Sequence, residues 1–221
     1  MRLALRATVL LVVGATYFLG WGQLTIHGSG MLPTLPWGQS LLLERATLVR
    51  LLDHEVDRGD VVSFAWKDRT RVARVVGIAG DRVAVVDDRV SLNGTLLTND
   101  VTDERTGPGW DRRCAQDPLL VHRETIPRRQ GTAQYGVTAP ATDGEALSLE
   151  AVVVPDGHVL TLPDRRPSLR DNDEETAEER FVPVPLSALR GIVLRRLWRM
   201  DDCSGLRTFA RAGTRLRTVT P

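Results

Sequence analysis

The stretch His27-Gly28-Ser29-Gly30-Met31-Leu32-Pro33-Thr34-Leu35 sets an imidazole and a hydroxyl two residues apart in a glycine-rich run. A serine hydroxyl is a poor nucleophile until a neighbouring base takes its proton. An imidazole titrates close to neutrality and can be that base. Backbone N–H groups along Gly28, Ser29, Gly30 and Met31 are donors of the kind that stabilise a developing oxyanion. A lysine can also act as the base, provided that burial lowers its ammonium pKa towards neutrality. The chain has a single lysine, Lys67, beside Asp68 in a polar turn, where it reads as a solvated turn residue. His27 reads more plainly as an interfacial histidine just outside a membrane than as a base. Cys114 and Cys203 lie far apart without CxxC or Cys/His ligand spacing, which argues against a structural zinc. No metal and no cofactor is expected.

The 221 residues suffice for one good-sized domain, or one domain with a large insertion. The formal net charge is +1, so nothing marks the chain as a nucleic-acid binder. Arg2 and Arg6 precede an uncharged, apolar run from Ala7 to Leu24. At ~1.5 Å per residue a helix of that length just reaches across a ~30 Å hydrocarbon core. Tyr17, Phe18 and Trp21 gather at its far end, as interfacial aromatics do, and the arginines place the N-terminus in the cytoplasm. The expectation is a single-pass membrane protein with its main domain outside the cytoplasm. A cleaved secretory signal is the competing reading, since Gly20-Trp21-Gly22 loosely resembles a small-x-small site.

Beyond the anchor the pattern is that of an all-β domain of short strands. Strands are expected at Ser40 to Glu44, Asp60 to Trp66, Val72 to Ile78, Arg82 to Val86 and Arg89 to Leu92. Further strands fall at Ala151 to Val154 and His158 to Leu162, with a last apolar run at Ala188 to Trp198. Lys67 to Thr70 is the expected turn of one hairpin, and Asn93-Gly94 the strongest hairpin turn in the chain. Thr47 to Asp57 reads as a connection, helical at Leu48 to Leu52. The organisation read from this is an anchor at 1–24, a β core at 25–98 and 145–200, a loop-rich inserted lobe at 99–144, and a basic tail at 201–221. An extracytoplasmic location permits oxidation, so a Cys114–Cys203 bond is expected.

Four ordered boxes behind the anchor resemble the signal peptidase I family. His27 to Leu35 is similar to its Ser-Met-x-Pro-Thr-Leu box. Arg58-Gly59-Asp60-Val61-Val62-Ser63-Phe64 is similar to its Arg-Gly-Asp-Val-Val-x-Phe strand, and Ala73-Arg74-Val75-Val76-Gly77-Ile78-Ala79-Gly80-Asp81 to its Lys-Arg-Val-x-Gly-x-x-Gly-Asp. Val154-Pro155-Asp156-Gly157 resembles the lead-in to the last box. Beyond an insertion through Leu169, Asp171-Asn172 and Thr176 to Arg180 fall where the family has Gly-Asp-Asn-Arg and Ser-x-Asp-Ser-Arg. The resemblance implies a signal peptidase I-like β-domain behind one transmembrane helix, and a serine nucleophile served by a neutral lysine.

Both members of that dyad are absent by this reading: the serine position holds Gly30 and the lysine position Ala73. Ser29 is the one candidate substitute, although one residue along an extended chain sends a side chain to the opposite side. Lys67 lies about 20 Å from Ala73 along a strand. Thr176 keeps a hydroxyl where the family has a serine, whereas Asp171, Glu178 and Arg180 read as a structural ion-pair set. The resemblance therefore implies a protein that handles signal peptides or preproteins at the outer membrane face and is catalytically silent. The alternatives are an active peptidase with a displaced nucleophile such as Ser29, and a structural subunit pairing with an active paralogue. The expected partners are membrane lipid, an extended peptide or signal-peptide segment of a secreted protein, and such a paralogue.

Overall fold

The computed structural model describes residues 20–51, 54–105, 120–138, 148–166, 181–200 and 207–209. In chain order, β1 (Trp21–Thr25) and β2 (Gln39–Arg45) lead into the short helix α1 (Ala46–Leu51), and β3 (Val61–Trp66) into β4 (Arg69–Ile78). Next come β5 (Arg82–Val86), β6 (Arg89–Leu92), β7 (Thr95–Leu96) and β8 (Thr98–Arg105). β9 (Leu120–Pro127), β10 (Thr132–Thr138), β11 (Leu149–Val153) and β12 (His158–Leu162) follow. β13 (Pro183–Pro185), β14 (Leu189–Met200) and β15 (Arg207–Phe209) are last. The architecture is mainly β, in three sheets. The largest runs β1-β2-β14-β3-β4-β12-β13, with β15 beside β14. The other two run β10-β9-β8 and β11-β5-β6-β7.

Turn chemistry sets the hairpins. Asp87-Asp88 and Asn93-Gly94 join β5 to β6 and β6 to β7, and all four residues have positive φ. Two successive left-handed residues give the turn whose twist matches that of paired strands, and Asp, Asn and Gly tolerate it best. The turn between β3 and β4 is tighter than expected. Trp66 pairs directly with Arg69, so only Lys67-Asp68 turn, with Lys67 at φ 49, and Arg69 and Thr70 belong to β4.

β4 is the spine. β3 lies along one side of it, and β12 along the other from Arg74 onward. Between the pairs Val75–Thr161 and Gly77–Leu160 the register slips, leaving Val76 as an extra residue. This bulge re-aims the strand. Ala73, Val75 and Ile78 pack with Val62, Phe64 and Val159 in one core cluster. Val76 faces the opposite cluster, with Leu160, Val83, Val90, Ile126 and Tyr135. The main sheet therefore buries both faces, and the two smaller sheets cover the second.

Two expectations are corrected here. The segment read as a loop-rich lobe contains β8, β9 and β10, and Ile126, Ala133, Tyr135 and Val137 enter the main core. Its pattern is obscured because Glu124 occupies a core position. The carboxylate is buried between the Arg166 guanidinium, at 2.9 and 3.1 Å, and the Tyr135 hydroxyl. A charge satisfied inside the fold removes the alternation from which a strand is read. Secondly, the anchor read through Leu24 overlaps β1: Trp21 lies opposite Glu44 and Thr25 opposite Ser40, while Leu24 packs beside Ile26 and Leu41. Gly22, Gln23 and Thr25 suit a half-buried strand. Residues 1–19, Cys114 and Cys203 lie outside the described residues, and among those described no helix is long and apolar enough to cross a membrane.

A second polar knot pins the β5–β6 hairpin. Arg58 donates to both oxygens of Asp81 at 2.6 Å, Ile78 N–H donates at 2.8 Å, and Asn93 Nδ2 at 3.0 Å. Burial alone would raise the Asp81 pKa. The hydrogen bonds from Arg58, Ile78 and Asn93 outweigh it and hold the carboxyl below the usual range. A depressed folded-state pKa contributes stability above the unfolded value of ~3.9, and this is lost as pH falls through the folded value. Urea unfolding across pH 7 to 2 should therefore show a steeper acid loss for the unmodified protein than for Asp81→Asn. Parallel slopes would contradict this.

Candidate active-site cleft

Alternation along β4 decides the wall of the cleft. Arg69, Arg71 and Ala73 share one face, and their antiparallel partners Trp66, Phe64 and Val62 share it too. The Arg71 guanidinium lies over the Trp66 ring, 5.9 Å from its centroid, and Phe64 meets Trp66 edge-on at 6.4 Å. Thr161 on β12 and Val184 on β13 extend the same surface. Gly28, Ser29 and Gly30 form the facing wall and Pro163 closes one end, around a cavity of about 360 Å³. Gly30 and Ala73 thus line one cleft, together with Gly28 and Ser29.

Gly30 has room for a side chain. A Cβ built there would meet only Pro163 Cβ, at an ordinary 3.8 Å, and the backbone is outside the left-handed region that disfavours serine. Ala73 is buried against the apolar floor, in an environment that would disfavour a charged ammonium.

The glycine wall is held from behind. Leu32 N–H donates to Ser29 O at 3.1 Å and Leu35 N–H to Met31 O at 2.7 Å, while Met31 is buried among Ile26, Leu35 and Leu41. Arg165 N–H donates to Gly30 O at 2.9 Å, and Arg165 Nη1 donates to Ser29 Oγ at 2.8 Å. A guanidinium only donates, so Arg165 is no base for the Ser29 hydroxyl. Arg74, on the opposite face from Ala73, gives a bidentate pair to Asp164 at 2.7 and 2.6 Å, and bonds Gly59 O and Thr34 Oγ1. Its guanidinium lies 4.0 Å from the Tyr135 ring centroid. Burial alone would lower the Arg74 pKa, but Asp164, Tyr135 and Glu124 together outweigh it and the group stays charged.

Other candidates sit elsewhere. β3 pairing puts Ala73 opposite Val62, five residues from Lys67, roughly 16 Å along the strand. His27 is exposed, its ring edge-on to Trp37 at 6.1 Å, and lines an adjoining groove with Gly28, Gly30, Thr70 and Val72. Asp171, Thr176, Glu178 and Arg180 lie outside the described residues. β12 runs directly into Pro163-Asp164-Arg165-Arg166, which brings an Asp and an Arg to the back of the cleft. The sequence reading missed Asp164 and Arg165, whose partners Arg74 and Ser29 lie far away in the chain. Thr161, whose strand face it shares with the cleft, was also missed.

Removing one partner of a buried pair strands the other charge. Asp164→Ala is expected to destabilise the protein by about 3–5 kcal/mol in urea unfolding. The paired change Arg74→Met with Asp164→Leu should recover most of that loss; a loss under 1 kcal/mol for Asp164→Ala would refute the role assigned to the pair.

The family described as signal peptidase, peptidase S26, matches residues 1–198. Among solved structures, a signal peptidase I from Enterococcus faecalis V583 is 19% identical, with 62% of this chain and 96% of that one covered at a TM-score of 0.33. No curated protein matches the chain. With a family match over nearly its whole length, the chain belongs to the signal peptidase I family.

Proposed function

We propose that this protein is a catalytically silent signal peptidase I relative that holds extended peptide segments of secreted proteins at the outer membrane face. The observation that carries this reading is the pairing of Gly30 with Ala73 in one cleft that contains no lysine and whose serine is bonded by an arginine. With neither nucleophile nor base at the dyad positions, what remains is a place to bind.

Strand register supports the binding half. β12 reaches only to Leu162 opposite Arg74, so the Arg69–Ala73 half of β4 has no strand beside it on that side among the described residues. Two clefts adjoin this edge, one lined by Arg71 and Ala73 and the other by His27 and Met31, with Thr70 and Val72 lining both. An open edge between two clefts accepts an extended peptide by main-chain pairing, which requires no chemistry. Anchoring rests on the apolar run before Trp21 with Arg2 and Arg6 at its near end, and membrane lipid is the partner it implies.

The dyad can be rebuilt to test this. Gly30→Ser together with Ala73→Lys should give cleavage of a preprotein after a small-x-small site, whereas either change alone should not, because nucleophile and base act as a unit. The unmodified protein should leave the same preprotein uncut. Turnover by the unmodified protein that disappears in Ser29→Ala would instead establish Ser29 as a displaced nucleophile. A protein that neither cuts nor binds peptide would be a structural subunit.

A further inference from the structure

Gly30 and Ala73 leave room in the cleft as well as emptying the dyad positions. Outside its chain neighbours, a Cβ built at Gly30 would meet only Pro163 Cβ, at 3.8 Å. Ala73 carries the shortest side chain after glycine. The two positions stand on facing walls of a cavity of about 360 Å³. The floor beside Ala73 is apolar, built from Val62, Phe64, Val159 and Val184.

One polar group interrupts that floor. Thr161 lies opposite Val75 across the β12–β4 pair, and Val75 shares its strand face with Ala73. Residues directly opposite each other turn to the same side, so Thr161 faces the cleft with them. Thr161 is only 4% exposed and lines the cavity, and its hydroxyl bonds no other described residue. A hydroxyl covered by a ligand that cannot bond it is costly. A ligand that fills this cavity must therefore bring apolar bulk to the floor and a hydrogen-bonding group to Thr161.

Strand register places such a group. Leu162, the last residue of β12, lies opposite Arg74, so a peptide pairing with the Arg69–Ala73 edge continues the line of β12. The peptide residue opposite Ala73 then falls two strand positions, ~7 Å, from Thr161 and on the same face. Side chains in strands lean along the strand direction. A tyrosine at that position fills the room between Gly30 and Ala73 with its ring and carries its hydroxyl to Thr161, where it can donate or accept. Phenylalanine fills the same room but strands the Thr161 hydroxyl. Alanine and serine are too short to reach it.

Resting on the reading of this cleft as a peptide-binding edge, we infer that it selects a tyrosine in the extended peptide it holds. The ring lies between Gly30 and Ala73, and the phenol hydroxyl bonds Thr161 Oγ1. The residues that stand at the dyad positions are thus the ones that admit the ring.

The test uses the full-length protein in lipid nanodiscs and short fluorescein-labelled peptides of alternating Thr and Val. One central Val is replaced by Tyr, Phe or Ala. Fluorescence anisotropy should show the Tyr peptide binding about tenfold more tightly than the Phe peptide, and the Phe peptide more tightly than the Ala peptide. In Thr161→Val the Tyr advantage should vanish, and the Phe peptide should bind more tightly than it does to the unmodified protein, a gain that misfolding cannot produce. Ala73→Leu should erase the preference for either aromatic peptide over the Ala peptide. Equal binding of the Tyr and Phe peptides to the unmodified protein, or tightest binding of the Ala peptide, would overturn the tyrosine selection while leaving the peptide-binding reading intact. Failure of all three peptides to bind would overturn both.

Discussion

The buried pair between Arg74 and Asp164 is the interaction from which the rest of the cleft follows. A guanidinium buried this deeply needs its donors matched. Here Asp164, Gly59 O and Thr34 Oγ1 accept from it while the Tyr135 ring covers its face. These partners come from the end of β12, the approach to β3, the loop after Met31, and β10. One side chain therefore ties four parts of the chain together. Strand alternation does the remainder: with Arg74 committed to the interior side, Ala73 and Arg71 must face the cleft. Next to Asp164 in the chain, Arg165 holds Gly30 O and Ser29 Oγ from behind the glycine wall.

The same geometry separates scaffold from chemistry. The backbone at Gly30 would seat a serine, and the floor around Ala73 would desolvate a lysine. Recognition of an extended chain, as proposed, depends on the β4 edge from Arg69 to Ala73, which no strand pairs on its β12 side among the described residues. On the proposed reading the scaffold binds what it does not cut, since main-chain pairing and proton transfer draw on different atoms.

Much of this was legible in the sequence where local rules dominate. Period-two apolar runs at 61–66, 72–78 and 158–162, with Asn93-Gly94 between short strands, identify hairpins because backbone twist and side-chain alternation act over a few residues. What escaped was non-local. Glu124 hides β9 until Arg166 and Tyr135 are seen to bury it, and Arg69 and Thr70 look like turn residues until the β3 register extends the strand through them. The role of Asp164 became visible only with Arg74, ninety residues earlier in the chain, and Trp21 to Leu24 reads as membrane span until β2 is found beside it. Among the described residues the strand edge at Arg69 to Ala73 arises because Leu162, the last residue of β12, falls opposite Arg74, a register that no local pattern encodes.

The central claim is that this cleft binds extended peptide without cutting it, and one measurement addresses both parts. The full-length protein in nanodiscs is titrated with a fluorescent signal-peptide segment containing a small-x-small site, held for hours at saturation, and the peptide is then released and weighed by mass spectrometry. The account predicts saturable binding and quantitative recovery of the peptide at its original mass. Fragments ending at the small-x-small site, or the absence of saturable binding, would contradict it.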